Sequence, residues 1–207
     1  TAAGLTGEKV KRITKHKEGL TVTTAKNKHE FDKVICAVPP RIVGSLMEFP
    51  KEENDLLQMT KYDPYFVGCI EPDHDLKPYY YQNLELNEGD PVQFSKRWDN
   101  SPIVAYGYNW NDADKVLSDT TLQELRKELK IYCKDNMDIN AYTELPTHSL
   151  WDNYHPHVPI KAFQDGYFDK LEAMQGKQGI YMTGDGMAAE SMEYSCKYSK
   201  QLVEQHF

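Results

Sequence analysis

Near the end of the chain, Gly184-Asp185-Gly186 stands between the apolar run Ile180-Tyr181-Met182-Thr183 and a helix-forming stretch that continues to the last residues. The pattern reads as a short buried strand, a tight turn and a helix. A helix start offers backbone N–H groups with no acceptor in the helix, and these stabilise an anionic or electron-rich ligand group. Glycine in the turn lets the backbone approach such a ligand closely. Asp185, just after the strand, is placed to bind ligand hydroxyls or to set the local charge. Three histidines, His148, His155 and His157, gather near Trp151. Three imidazoles can hold zinc or iron. Here Pro156 separates two of them and no carboxylate follows at helical spacing, so a stacking, hydrogen-bonding loop is expected and no metal. Serine-hydrolase, P-loop and Cys–His signatures do not occur, and no residue identifies itself as a general base.

Aromatic residues crowd the middle of the chain, among them Tyr65, Phe66, Tyr79, Tyr80, Tyr81, Tyr106 and Tyr108. On alternating strand positions they make a core or line a substrate tunnel, and core packing is expected for most. Tyr106 and Tyr108 share one face of their strand and act together in either role.

The elements that must hold these residues are legible as runs. Lys9 to His16, Gly19 to Ala25 and Glu30 to Val38 are strand-like, and Val34 to Val38 is apolar throughout, as a strand covered on both faces is. Pro39-Pro40 ends it, and short helices are expected over Arg41 to Met47 and Lys51 to Met59. Tyr65 to Ile70, Tyr79 to Leu86, Val92 to Trp98 and Ile103 to Trp110 predict four antiparallel strands. Leu122, Leu125, Leu129 and Tyr132 lie at helical spacing within Thr120 to Lys134. Tyr142 to Trp151 is extended, Asn153 to Phe163 is expected as loop, and Tyr167 to Met174 as a short helix. The order predicts an α+β fold with a mixed or antiparallel sheet and flanking helices.

A chain of 207 residues with 40% hydrophobic and 27% charged residues buries a real core. Its net charge of -8 argues against a nucleic-acid or anionic-membrane surface. No apolar run approaches a membrane span. The four cysteines are widely spaced, so buried, reduced thiols and a cytoplasmic protein are expected. The sequence opens without Met and is in a strand within a few residues, which predicts the C-terminal part of a longer protein.

Three separated segments resemble the flavin-containing amine oxidase superfamily. The first is Gly7-Glu8-Lys9-Val10, a hairpin, then Asp32-Lys33-Val34-Ile35-Cys36-Ala37-Val38-Pro39-Pro40. The second is Trp151 followed by Gly166-Tyr167, and the third is the tail with Thr183-Gly184-Asp185 and Met192-Glu193. The resemblance implies FAD, with the Val10 backbone at the adenine and Gly184, Asp185 and Met192 also at the cofactor. It implies a substrate face carrying Tyr106, Tyr108, Trp151 and Tyr167. It divides the chain into residues 1–40, a meander and return strand of the FAD domain; 41–165, a substrate-binding domain; and 166–207, the terminal strand and helix of a Rossmann-like FAD domain. The glycine-rich G-x-G-x-x-G turn that holds the pyrophosphate is not among these residues.

Departures from the family pattern refine this. The family's catalytic lysine aligns near Gly68, the cysteine that tethers flavin in monoamine oxidases at Gly166, and the second tyrosine of the amine cage at Ser191. Non-covalent FAD is therefore implied. The expected function is hydride transfer from a small-molecule substrate to flavin in the full-length protein. Two alternatives stand beside it: an FAD-dependent isomerase or desaturase of a lipid-like substrate, and a non-catalytic binding domain.

Overall fold

Valine, isoleucine and threonine favour the first two strands of a three-stranded antiparallel meander, β1 (Val10–Lys15), β2 (Leu20–Thr24) and β3 (Lys28–Phe31). The computed structural model describes residues 4–83, 91–109, 119–188 and 191–207. The register shifts between Val10 and Arg12, so Lys11 is bulged out of the β1–β2 ladder. The single strand expected over Glu30 to Val38 is two strands. Asp32 and Lys33 break it, and β4 (Val34–Cys36) leaves the meander to pair in parallel with β10 (Ile180–Met182). The apolar run of β4 is not covered on both faces. Cys36 is buried and Val34 packs on the core, but alternation turns Ile35 the other way, where it is 41% exposed.

Prolines start the next helices. Pro39 precedes α1 (Pro40–Leu46), which has Pro40 in its first turn, and Pro50 precedes α2 (Lys51–Gln58). A fixed φ suits that position, and the missing N–H has no helical acceptor to lose there. Glu52 and Glu53 in the first turn of α2 complement the helix dipole. Later come α4 (Ile160–Gln164), α5 (Tyr167–Glu172), a 3-10 turn, β10 and α6 (Met192–His206). Thr1–Lys61 and His155–Phe207 together make one compact unit. Its core joins Leu20 and Val22 of the meander to Val43, Leu57, Leu171, Ile180 and Met182.

Gln175 acts as a third strand for β10. Its Nε2 donates to the Met182 carbonyl at 2.7 Å, and its Oε1 accepts from the Met182 N–H at 2.8 Å. The same Nε2 reaches the Tyr198 hydroxyl at 2.7 Å, and that hydroxyl donates to Glu172 at 2.5 Å. One amide thereby ties the end of α5, the strand and the last helix.

Tyr62–Tyr154 forms the second unit. Five strands lie in the order β6-β7-β8-β5-β9, with β5 (Lys61–Pro72), β6 (Tyr79–Gln82), β7 (Gln93–Lys96), β8 (Val104–Asn109) and β9 (Tyr142–His157). The helix α3 (Asp119–Met137) buries Leu125, Leu129 and Cys133 against Phe66, Ile70, Phe94, Val104 and Tyr106. The expected loop over Asn153 to Phe163 is instead the end of β9 and the helix α4. Pro146 and Pro156 are compatible with β9 because it is an edge strand, where alternate N–H groups face away from the ladder, and Pro159 precedes α4 as its N-cap. The four buried thiols are also only partly found. Cys36 and Cys133 are buried and burial pushes their thiols up, to about 11 and about 12. Cys69 is half-buried, and Cys196 is exposed on the solvent side of α6.

In the β5–β8 pair, aromatic rings occupy the space glycines leave. Tyr106 lies directly across from Gly68, and a Cβ at Gly68 would sit 2.4 Å from the Tyr106 hydroxyl. On the other face, a Cβ at Gly107 would sit 2.2 Å from the Tyr65 hydroxyl. Each ring thus shields a glycine backbone that would otherwise weaken the strand. Gly68→Ala is expected to cost about 1–3 kcal/mol, the range for overpacking a filled core. Urea denaturation measures it, and Tyr106→Leu in the same background should recover part of the loss.

Candidate active-site cleft at the tail turn

The tail turn is built by backbone bonds. Thr183 N–H donates to the Cys36 carbonyl at 3.0 Å, which carries the strand pairing one residue further. Gly184 then takes φ +106, a conformation open to glycine, and its carbonyl accepts from Met187 and Ala188, both at 3.1 Å. Gly186 is needed for a different reason: a Cβ there would sit 2.6 Å from Cδ of Pro40. The turn therefore rests on the start of α1, while Asp185 between the glycines stays exposed.

Ser191 caps the last helix, its Oγ accepting from Tyr194 N–H at 3.1 Å. The N–H groups of Met192 and Glu193 have no intrahelical acceptor, and Met192 is 88% exposed. Lower in the helix, Ser199 donates to the Ser195 carbonyl at 2.7 Å. Its single proton is used there, so the 2.6 Å contact with Thr183 Oγ1 is a bond that Thr183 donates. That bond fixes strand and helix at a set separation.

Beside the turn lies a cleft of about 260 Å³, walled by Asp185 and Gly186 on one side, Val158 and Phe168 on another, and Thr60 with Tyr167. Tyr167 is 2% exposed and its hydroxyl lies 2.6 Å from Thr60 Oγ1, itself buried. Burial pushes the Tyr167 phenol up, and the bond to Thr60 opposes part of that. Phe168 meets the Tyr167 ring edge-on, with centroids 5.1 Å apart. Gly166, at φ +76, opens α5 and so sets where Tyr167 begins.

The residues named from sequence fall in different places. Asp185 and Tyr167 line one cleft, with Gly184 beside them. Met192 is at the exposed start of α6, and Val10 is half-buried on β1, opposite Thr24 and next to the bulge. Trp151 is 56% exposed on β9. Tyr106 is 2% exposed in the core beneath α3, where burial raises its phenol well above the ordinary value. The Tyr108 backbone pairs with Phe66, and its side chain lies outside the described residues, as does that of His155. His148 stacks on Phe66 at 5.6 Å, and His157 reaches the cleft. Among the described residues no cluster of His, Cys, Asp or Glu could hold a metal ion. Sequence reasoning missed Thr60, a lone threonine between α2 and β5 with no pattern around it. It also missed the stacked pair Tyr65 and Tyr154, whose rings lie 4.8 Å apart.

Thr60→Val leaves the buried Tyr167 hydroxyl without its partner and is expected to cost about 1–3 kcal/mol. Thr60→Val with Tyr167→Phe removes both polar atoms and should lie closer to wild type than the sum of the single changes. Urea melts of the four proteins measure the cycle.

The chain resembles known proteins along nearly its full length. In solved structures, it superposes on the CLA-producing fatty acid isomerase from P. acnes with a TM-score of 0.80 at 21% identity, covering 97% of this chain and 47% of that one. A putative protoporphyrinogen oxidase from Exiguobacterium sp. 255-15 matches with a TM-score of 0.71 at 14% identity, over 96% of this chain and 46% of that one. Reduced UDP-galactopyranose mutase matches with a TM-score of 0.65 at 13% identity, over 87% and 42%. At these identities the likeness is one of fold, and the chain spans about half the length of the structures it matches. No curated protein matches. Among the described residues no helix is long and apolar enough to cross a membrane. The model of the flavin-containing amine oxidoreductases matches residues 4–193, and the chain belongs to that family.

Proposed function

We propose that this chain supplies the substrate-binding part and the closing strand and helix of an FAD-dependent oxidoreductase that moves hydride from a small-molecule substrate to the flavin. The observation that carries the reading is the tail: a left-handed Gly184, an exposed Asp185 and a capped helix start, side by side with the Tyr167 cleft, in a flavin-containing family. These residues fit a flavin. A Cβ at Gly184 meets nothing within 4 Å, so the backbone there is open to a ligand, and the N–H groups of Met192 and Glu193 have no acceptor within the helix. Bound flavin would supply the hydride acceptor. The start of α6 would favour negative charge, although Glu193 in its first turn opposes that and is drawn aside by Lys197 at 2.6 Å. Asp185 would accept from cofactor hydroxyls. Tyr167 and Phe168 would exclude water from one wall of the cleft.

Non-covalent attachment follows from Gly166. The tethering cysteine of monoamine oxidases aligns there, and φ +76 is a conformation an L side chain rarely adopts. A second reading, isomerisation or desaturation of a lipid-like substrate, is favoured by Gly68. The family's catalytic lysine aligns near it, and the Tyr106 ring fills the space a side chain would need. The fatty acid isomerase among the structural neighbours is in keeping with that reading. Turnover of an amine against that of an unsaturated fatty acid separates the two.

Acid precipitation of the full-length flavoprotein should release its colour into the supernatant. A yellow pellet would show a covalent link and overturn the non-covalent assignment. Asp185→Ala should weaken FAD binding about ten- to a hundred-fold, the loss of one charge-assisted hydrogen bond. Fluorescence titration of apo-protein with FAD measures it. Unchanged affinity with a lowered melting temperature would make Asp185 a structural cap of the turn.

A further inference from the structure

We propose that the cleft between β1 and the link from α1 to α2 binds a small hydroxylated anion, a hydroxy acid or a sugar phosphate, at a site separate from the Tyr167 cleft. The cavity is about 540 Å³, within the roughly 300–1,000 Å³ of small-molecule sites. It shares no lining residue with the Tyr167 cleft, and every residue around it belongs to the first unit. Its cations are put there by the bulge in β1. Val10 lies across from Thr24 and Ile13 from Val22, and both side chains pack on the core. In a regular strand, residues three apart face opposite ways. The bulge keeps both on the core side and so turns Lys11 and Arg12 together out of it, into one cleft.

The two walls differ in chemistry. On the β1 wall, Lys11 has no ion-pair or hydrogen-bond partner among the described residues. Arg12 donates through Nη2 to Glu48 at 2.6 Å, but the two side chains are 62% and 89% exposed, so water screens the pair and it opens at little cost. With Glu48 cancelling Arg12, the Lys11 charge is left over at the cleft, in a protein of net charge -8. The end of α1 forms the other wall. The Val43 carbonyl accepts from Met47 at 3.3 Å, and the carbonyls after it have no donor in the helix. They suit ligand hydroxyls and repel a bare anion. Asn54 adds a side-chain amide that bonds to no other described residue. Gly44 lets it approach: a Cβ there would sit 3.0 Å from Asn54 Oδ1 and 2.9 Å from Gln58 Nε2. Cationic donors on one wall and neutral acceptors on the other fit a ligand with an oxyanion at one end and hydroxyls along its body.

The test is calorimetric titration at low salt of the full-length protein saturated with FAD, so that phosphate contacts of a cofactor site are already taken. The probes are glycerol 3-phosphate, glycerate and uncharged glycerol. At least one of the two anions should bind and glycerol should not. Which anion binds separates a phosphate ester from a carboxylate. Lys11→Gln should weaken that binding about tenfold, the loss of one charge-assisted bond. Glu48→Gln should strengthen it severalfold, because the competing carboxylate is gone and Arg12 is released. Both positions are exposed, so the fold is kept in either variant, and urea melts check it. Silence with both anions at millimolar concentration would overturn the proposal, as would glycerol binding as tightly as they do. Binding that Lys11→Gln leaves unchanged would place the anion elsewhere. A Glu48→Gln protein that binds no more tightly than wild type would also overturn it, since Arg12 would then take no part.

Discussion

The parallel pairing of Val34–Cys36 with Ile180–Met182 is the constraint on which the first unit depends. It joins segments separated by most of the chain, and loop closure of that length carries a large entropic cost. Three residues of ladder do not offset it alone. The pairing survives because β10 and the Val34 and Cys36 side chains share a core with Leu20, Val43 and Leu171, and because the Gln175 amide satisfies Met182 on its far side. Once the strands are fixed, the rest of the tail has little freedom. Thr183 extends the ladder to Cys36, Gly186 rests on Pro40, and the Thr183–Ser199 bond sets the distance to α6.

The cleft follows from the same constraint. Asp185 meets Tyr167 there because β10 puts the tail turn beside α5, which packs in the same core. Tyr167 is a core residue by burial and a cleft residue by position. Its hydroxyl is bonded inward to Thr60, so what it offers the cleft is ring surface and a fixed wall. Chemistry needing an exposed proton donor would have to come from elsewhere, and Asp185 and His157 are the exposed polar groups at the rim.

The second unit divides its labour between two sheet faces. One face carries Phe66, Phe94 and Tyr106 into the core beneath α3. The opposite face carries Tyr65, which lies over Gly107 and stacks with Tyr154, while Tyr80 donates to Gln93 at 3.1 Å. Strand alternation makes this division unavoidable: each residue can serve one face only. Lys96 shows the cost of a polar residue on the buried face. Its side chain is 1% exposed, and its ammonium is neutralised by Asp75 at 2.6 Å and bonded to the Leu76 carbonyl.

By itself the sequence determined most element types and the family. Hydrophobic periodicity marked the meander, four of the five strands of the second unit's sheet and α3, because those patterns reflect local geometry that burial of one face enforces. Glycines and prolines marked the tail turn and the helix starts, because their backbone limits act within one or two residues. Tertiary structure decided what depends on partners remote in sequence. It split the run Glu30 to Val38 so that β4 could meet β10, and it let Pro156 stay in a strand because that strand lies at an edge. It turned Tyr106 into the core and paired Tyr167 with Thr60, more than a hundred residues away. No local pattern encodes such contacts, since a side chain's role is fixed by which neighbours the fold delivers to it.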